Sequence, residues 1–187
     1  MEIEIKLPFE GGAAKARELV ERSGYGLIEA RTLESDLVLD LESGRLRRAG
    51  ELLRLRRSGA RSFLTYKGPA ARAKHKTREE IEVEISAADT IESLLHRLGF
   101  APAFRYAKYR TKFQAPGEPG IVTIDETPIG IFLELEGPPA WIDRTAKRLG
   151  FSPEQYSTAS YGTLYREYRM RHPKAPADMI FGSVHSA

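Results

Sequence analysis

A chain of 187 residues that is 41% hydrophobic and 29% charged can build one large domain or two small ones, and its composition excludes global disorder. It has no cysteine, which excludes disulfides, thiolate metal sites and a cysteine nucleophile, and no apolar run of about 18 residues, so no membrane-spanning helix is expected. Twenty-nine Lys and Arg against 26 Asp and Glu leave a net charge of +3, too even for a non-specific nucleic-acid binder.

Residues 2–6 read Glu-Ile-Glu-Ile-Lys, a strand with Glu2, Glu4 and Lys6 on one face and Ile3 and Ile5 on the other. Pro8 and Gly11-Gly12 break it, and residues 13–23 read as a short amphipathic helix ending near Gly24. A strand is expected over 29–39 and a turn or single helical turn over 43–50. Residues 52–57 and 62–67 form the clearest hairpin, around Gly59. The small and basic stretch 70–77 reads as a mobile loop, followed by a strand over 78–85. A helix is expected over 88–98, with Ile91, Leu94, Leu95 and Leu98 on one face and Gly99 as its stop. Strands are expected over 104–113, 121–125 and 131–136, then helices over 141–149 and 161–171. From His172 onward the prolines and small residues predict a flexible tail. The expected organisation is a single domain over 1–171 with a tail over 172–187. Because the first residues show no basic region and no apolar signal core, the expected location is the cytoplasm.

The charged alternation of residues 2–6 recurs. Arg54 and Arg56 alternate with leucines; Glu80, Glu82 and Glu84 with Ile81, Val83 and Ile85; Glu134 and Glu136 with Leu133 and Leu135. Lys108, Arg110 and Lys112 keep the same spacing. Any one such face is ordinarily a solvated strand surface. Five together can line one interior if the sheet closes. Short connections make that sheet largely antiparallel. Oxygen-only ligands suit a hard ion, Mg²⁺ or Mn²⁺, and the cations suit phosphates. His75, His96 and His172 lack ligand spacing.

In order along residues 2 to about 168, the chain resembles the CYTH superfamily, the triphosphate tunnel metalloenzymes, which include class IV adenylate cyclases and thiamine triphosphatases. The resemblance rests on Glu2-Ile3-Glu4-Ile5-Lys6, Leu53-Arg54-Leu55-Arg56, Leu64 to Pro69, Arg78 to Glu82, Lys108-Tyr109-Arg110, Ile124-Asp125-Glu126, Leu133 to Gly137 and Ser160-Tyr161. It implies an α+β fold, an eight-stranded antiparallel closed β-barrel forming a tunnel, with flanking helices. By position, it implies metal ligation by Glu2, Glu4, Glu80, Glu82 and Glu136, with Asp125 and Glu134 serving a second metal or the attacking group. It implies triphosphate contacts from Lys6, Arg54, Arg56, Lys67, Lys108 and Arg110. Lys6, Arg56, Asp125 and Glu134 are the expected catalytic set.

The implied reaction is Mg²⁺- or Mn²⁺-dependent hydrolysis of ATP, inorganic triphosphate or thiamine triphosphate. The alternatives are cyclisation of ATP to cyclic AMP and pyrophosphate, and a non-catalytic nucleotide or polyphosphate sensor. No nucleic-acid or membrane partner is expected, and exposed strand edges favour a homodimer.

Overall fold

Strands send successive side chains to opposite faces, so alternating charged and apolar residues give each strand one polar and one apolar side. A computed structural model describes residues 1–71 and 74–182. Among them, nine strands form one sheet whose pairs are all antiparallel, in the order β5-β1-β9-β8-β7-β2-β3-β4-β6. The strands are β1 (Glu2–Phe9), β2 (Gly26–Leu41), β3 (Leu52–Ser58), β4 (Arg61–Lys67), β5 (Lys76–Arg78), β6 (Glu80–Ile85), β7 (Phe100–Gln114), β8 (Ile121–Thr127) and β9 (Gly130–Glu136). The helices are α1 (Gly12–Arg22), α2 (Arg45–Ala49), α3 (Ala88–Arg97), α4 (Pro139–Arg148) and α5 (Tyr161–Arg171).

The two end strands of this order, β5 and β6, are separated in the chain only by Glu79. They are two halves of one strand, the first paired with β1 and the second with β4. Counted so, the sheet has the eight strands expected, and it returns on itself through the chain. The hydrogen-bonded ladder is interrupted at that point, so closure comes from backbone continuity instead of a last ladder.

The hydrophobic core lies outside the ring, between sheet and helices. Ile5, Leu7, Val122, Ile124, Leu133 and Leu135 pack under Ala16 and Val20 of α1 and Trp141, Ile142 and Ala146 of α4. Leu37, Leu39 and Leu55 pack under Leu95 of α3. Burying side chains of this size stabilises by about 1.5–3 kcal/mol each. Trp141 sits so close to Gly120 that a Cβ there would lie 2.3 Å from its ring. Gly120→Ala is therefore expected to destabilise by about 1–3 kcal/mol through overpacking, read as a lower urea midpoint at unchanged m.

Three expectations change. β2 and β7 run 16 and 15 residues, longer than expected, because they pair along nearly their whole length with register shifts that absorb the twist. The stretch expected as a mobile loop contributes β5, with Lys76 and His75 buried, while Arg72 lies outside the described residues. Of the residues expected as a loose tail, 178–181 lie against β7. Met179 is buried among Tyr106, Phe132, Tyr161 and Tyr165, its N–H donates to Arg105 O at 3.0 Å, and its carbonyl accepts from Ala107 N at 2.9 Å. Residues 183–187 lie outside the described residues. Among the described residues no helix is long and apolar enough to cross a membrane.

Candidate active site: a charged tunnel

The inward faces enclose a cavity of about 1180 Å³. Register brings its charges together. Across β1 and β9, Glu4 faces Glu136 and Lys6 faces Glu134; across β1 and β5, Glu2 faces Arg78 and Glu4 faces Lys76; across β4 and β6, Lys67 faces Glu80. Glu2, Glu4, Lys6, Arg54, Arg56, Lys67, Glu80, Glu82, Lys108, Arg110, Glu134 and Glu136 all line the cavity. Glu84 shares the parity of Glu80 and Glu82 but lies beyond the cavity, forked with Arg61 at 2.7 and 2.9 Å.

The cations are held by carboxylates behind and beside them. Arg56 donates to both oxygens of Asp36, at 2.8 and 3.1 Å, and lies 2.9 Å from Glu34. Arg54 reaches Asp36 and Glu82, each at 3.4 Å. Lys67 joins Glu2 at 2.6 Å and Glu80 at 2.9 Å. Lys6 lies 3.1 Å from Glu4 and 3.2 Å from Glu134; burial alone would lower its ammonium, but these two charges hold it above its ordinary value. Glu34 and Asp36 are absent from the expected site. Their own i, i+2 spacing carries the same signal as the strands that were found.

Asp125 has a different place from that expected of a metal ligand. It is fully buried and is not among the cavity-lining residues. It accepts from Lys108 at 2.8 Å, from Arg110 at 2.7 and 2.6 Å, and from the Tyr161 hydroxyl at 2.6 Å. Three of these donors converge on Oδ2 and one on Oδ1. Burial pushes its carboxyl up, but Arg110 and Lys108 outweigh that and hold it below the ordinary range. As arranged, Asp125 is the counter-ion that fixes two tunnel cations.

Glu34 sets an acid limit on the fold. Burial raises its carboxyl, but Lys108, Arg110 and Arg56 bring it down to about 2 from an ordinary 4.5. A depressed carboxyl stabilises the fold above its unfolded value, and that contribution disappears as pH falls through the folded value. Glu34 alone is expected to contribute about 3 kcal/mol above pH 5, lost between about pH 4.5 and 2. The difference between denaturant melts of native protein and of Glu34→Gln across that interval reads it.

Four lining carboxylates, Glu2, Glu4, Glu134 and Glu136, come from the adjacent strands β1 and β9. Burial first, then Glu134 and Glu2, push the Glu136 carboxyl up to about 7. A carboxylate crowded by others in this way favours an added cation. Among the described residues no three acidic or histidine side chains are gathered to share one ion as they stand. Mg²⁺ needs no such cage, since it commonly takes one or two carboxylates plus waters and phosphate oxygens. The donor set fits a hard divalent ion.

Polarity changes along the tunnel. Down β7 the lining passes from Lys112, Arg110 and Lys108 to Tyr106 and Phe104, and Phe104 faces Val38 across the ladder. Tyr165 of α5 meets the Phe104 ring at 5.9 Å. Away from the Lys108–Lys112 stretch the lining therefore adds aromatic rings, with Arg166 and Arg169 beside them.

The CYTH domain family matches residues 1–147. Over 137 residues the chain is 31% identical to "Putative adenylate cyclase MJ0240" of Methanocaldococcus jannaschii, spanning 73% of this chain and 76% of that protein. It is similar to the PH1819 protein of Pyrococcus horikoshii, with TM-score 0.75 and 29% identity over 90% of this chain and 100% of that one. It also shares its fold with the Hippeastrum protein HpAC1, named a putative adenylyl cyclase with a dominant triphosphatase activity. There the TM-score is 0.67 and the identity 22%, over 90% of this chain and 96% of that one.

Proposed function

The chain belongs to the CYTH domain family, and from that premise we propose that it is a divalent-metal-dependent enzyme hydrolysing an organic triphosphate inside the tunnel. One observation carries the reading: buried Arg54, Arg56, Lys108 and Arg110 share a cavity with the carboxylates of Glu2, Glu4, Glu134 and Glu136. A polyanion joined to a hard cation complements both sets.

In this reading Arg54 and Arg56 take phosphate oxygens through their forked donors, while Lys6, Lys67 and Lys108 act as point charges. Asp36 and Asp125 keep the guanidiniums of Arg56 and Arg110 fixed, so little reorganisation is needed as charge develops on the phosphate. Mg²⁺ or Mn²⁺ held by Glu2, Glu4, Glu134 and Glu136 would polarise the phosphate oxygens. The aromatic stretch formed by Phe104, Tyr106 and Tyr165 receives the organic group, which supports an organic substrate over inorganic triphosphate.

The same aromatic stretch supports a second reading, cyclisation of ATP, in which a ribose hydroxyl attacks the α-phosphate and pyrophosphate leaves. The name of the M. jannaschii relative points the same way, and that of the Hippeastrum protein towards hydrolysis. A sensor that binds without turnover would need the cations more than this many carboxylates.

Chromatography of products from ATP, thiamine triphosphate and inorganic triphosphate, each with Mg²⁺ and with Mn²⁺, separates the three. Orthophosphate supports hydrolysis, and the fastest substrate names the organic group. Cyclic AMP with pyrophosphate replaces hydrolysis by cyclisation. Tight binding with no product leaves the sensor.

A further inference from the structure

Lys76 and Arg78 enter the tunnel from the shortest strand of the sheet. β5 has three residues and meets β1 at only three pairs, Glu2 with Arg78, Ile3 with Thr77 and Glu4 with Lys76. Beyond these pairs, β5 is held by Ala71 N, which donates to Thr77 O at 2.8 Å, and by its junction with β6; a slip of one residue would turn both cations out of the tunnel. Alternation places His75 and Thr77 on the outer side when Lys76 and Arg78 face inward.

On that outer side, Asp143 of α4 meets the residues that lead into β5. Its Oδ1 lies 2.9 Å from His75 Nε2, and its Oδ2 accepts from Lys74 Nζ at 2.8 Å. The Tyr156 ring completes the contact, 6.2 Å from the His75 ring and 5.6 Å from Lys74 Nζ. Asp143 is 37% exposed, and ion pairs at such sites add little stability. What it does supply is a fixed point on a rigid helix for the residue directly before Lys76.

Inside, Lys76 joins Glu4, which already holds Lys6 at 3.1 Å. Arg78 lies 3.5 Å from Glu2, which already holds Lys67 at 2.6 Å. Because Lys6 also has Glu134 and Lys67 also has Glu80, Lys76 and Arg78 are each the second cation on a shared carboxylate and can turn to an incoming anion without leaving that carboxylate unpaired.

We propose that Asp143, outside the tunnel, is a positioning residue that sets the register of β5 and so aims Lys76 and Arg78 at an anionic substrate. The inference rests on the triphosphate reading of the cavity. It is tested by calorimetry with imidotriphosphate, a non-hydrolysable mimic, in Mg²⁺, on native protein and on Lys76→Met, Asp143→Ala, Asp143→Asn and the Asp143→Ala/Lys76→Met double variant.

Loss of a hydrogen bond to a charged group is expected to weaken binding about tenfold or more in Lys76→Met. Asp143→Ala should lose roughly three- to tenfold, and Asp143→Asn, which keeps an acceptor, less. Because Asp143 acts through both Lys76 and Arg78, Asp143→Ala should cost clearly less in the Lys76→Met background than in the native protein. Native-like binding by Asp143→Ala, or losses that multiply in the double variant, overturns the inference while leaving the tunnel reading intact. Native protein that fails to bind the probe overturns the tunnel reading and this inference with it.

Discussion

Replacing Glu4 by glutamine is expected to lower Mg²⁺-dependent triphosphate turnover by at least about 10²-fold without unfolding the protein. Glu4 is the central acid of its face: Glu136 lies opposite on one side, Lys76 opposite on the other, and Lys6 two residues along its own strand. The amide keeps the size and an acceptor oxygen, so Lys76 retains a partner and Lys6 still has Glu134 at 3.2 Å. What is lost is the charge that a hard cation needs. Phosphate release in steady state reads the loss, and circular dichroism reads the fold. Glu84→Gln is the control, since Glu84 lies on the same face of its strand as Glu80 and Glu82 but outside the cavity. If Glu4→Gln retains native turnover, the cation is not held on this side of the tunnel.

Asp125→Ala is expected to destabilise the fold by about 3–5 kcal/mol, because it strips the counter-ion from buried Lys108 and Arg110 and leaves the buried Tyr161 hydroxyl without its acceptor. For a chain of this length that is a fall in Tm of about 10 °C. Inorganic triphosphate should recover much of it. At about one hundred times Kd, mass action alone contributes about 2.7 kcal/mol, and the ligand brings negative charge to the cations that lost theirs. Thermal melts with and without triphosphate test both halves. An Asp125→Ala protein that melts like the native one but turns over more slowly would restore Asp125 to serving a second metal or the attacking group, the role the sequence resemblance implied.

The strands were legible because their signal is local. Glu2/Glu4/Lys6, Arg54/Arg56, Lys108/Arg110 and Glu134/Glu136 each declare an inward face through i, i+2 spacing, and all line the cavity. Glu34 and Asp36 carry that spacing too, but they sit in a segment whose leucines dominate the reading. Lys76 has no periodic neighbour beyond Arg78, so its three-residue strand carries no pattern that separates it from a loop. Met179 stands in a segment rich in proline and small residues, and nothing in it foretells the aromatic site between β7 and α5 that buries it.

By itself the sequence determined which residues share a face, which faces are charged, and that the charges are too many of both signs for a single solvated edge. Only the tertiary structure decided which charges neutralise one another. Arg110 meets Asp125 because β7 and β8 pair in one particular register, and Arg56 meets Asp36 because β2 and β3 do. It also decided where the cavity ends, separating Glu82 from Glu84 on one strand, and that Asp143 of α4 lies against the lead-in to β5. Side-chain alternation follows from the geometry of a single strand, whereas ion pairing depends on the register between strands, which no one segment encodes.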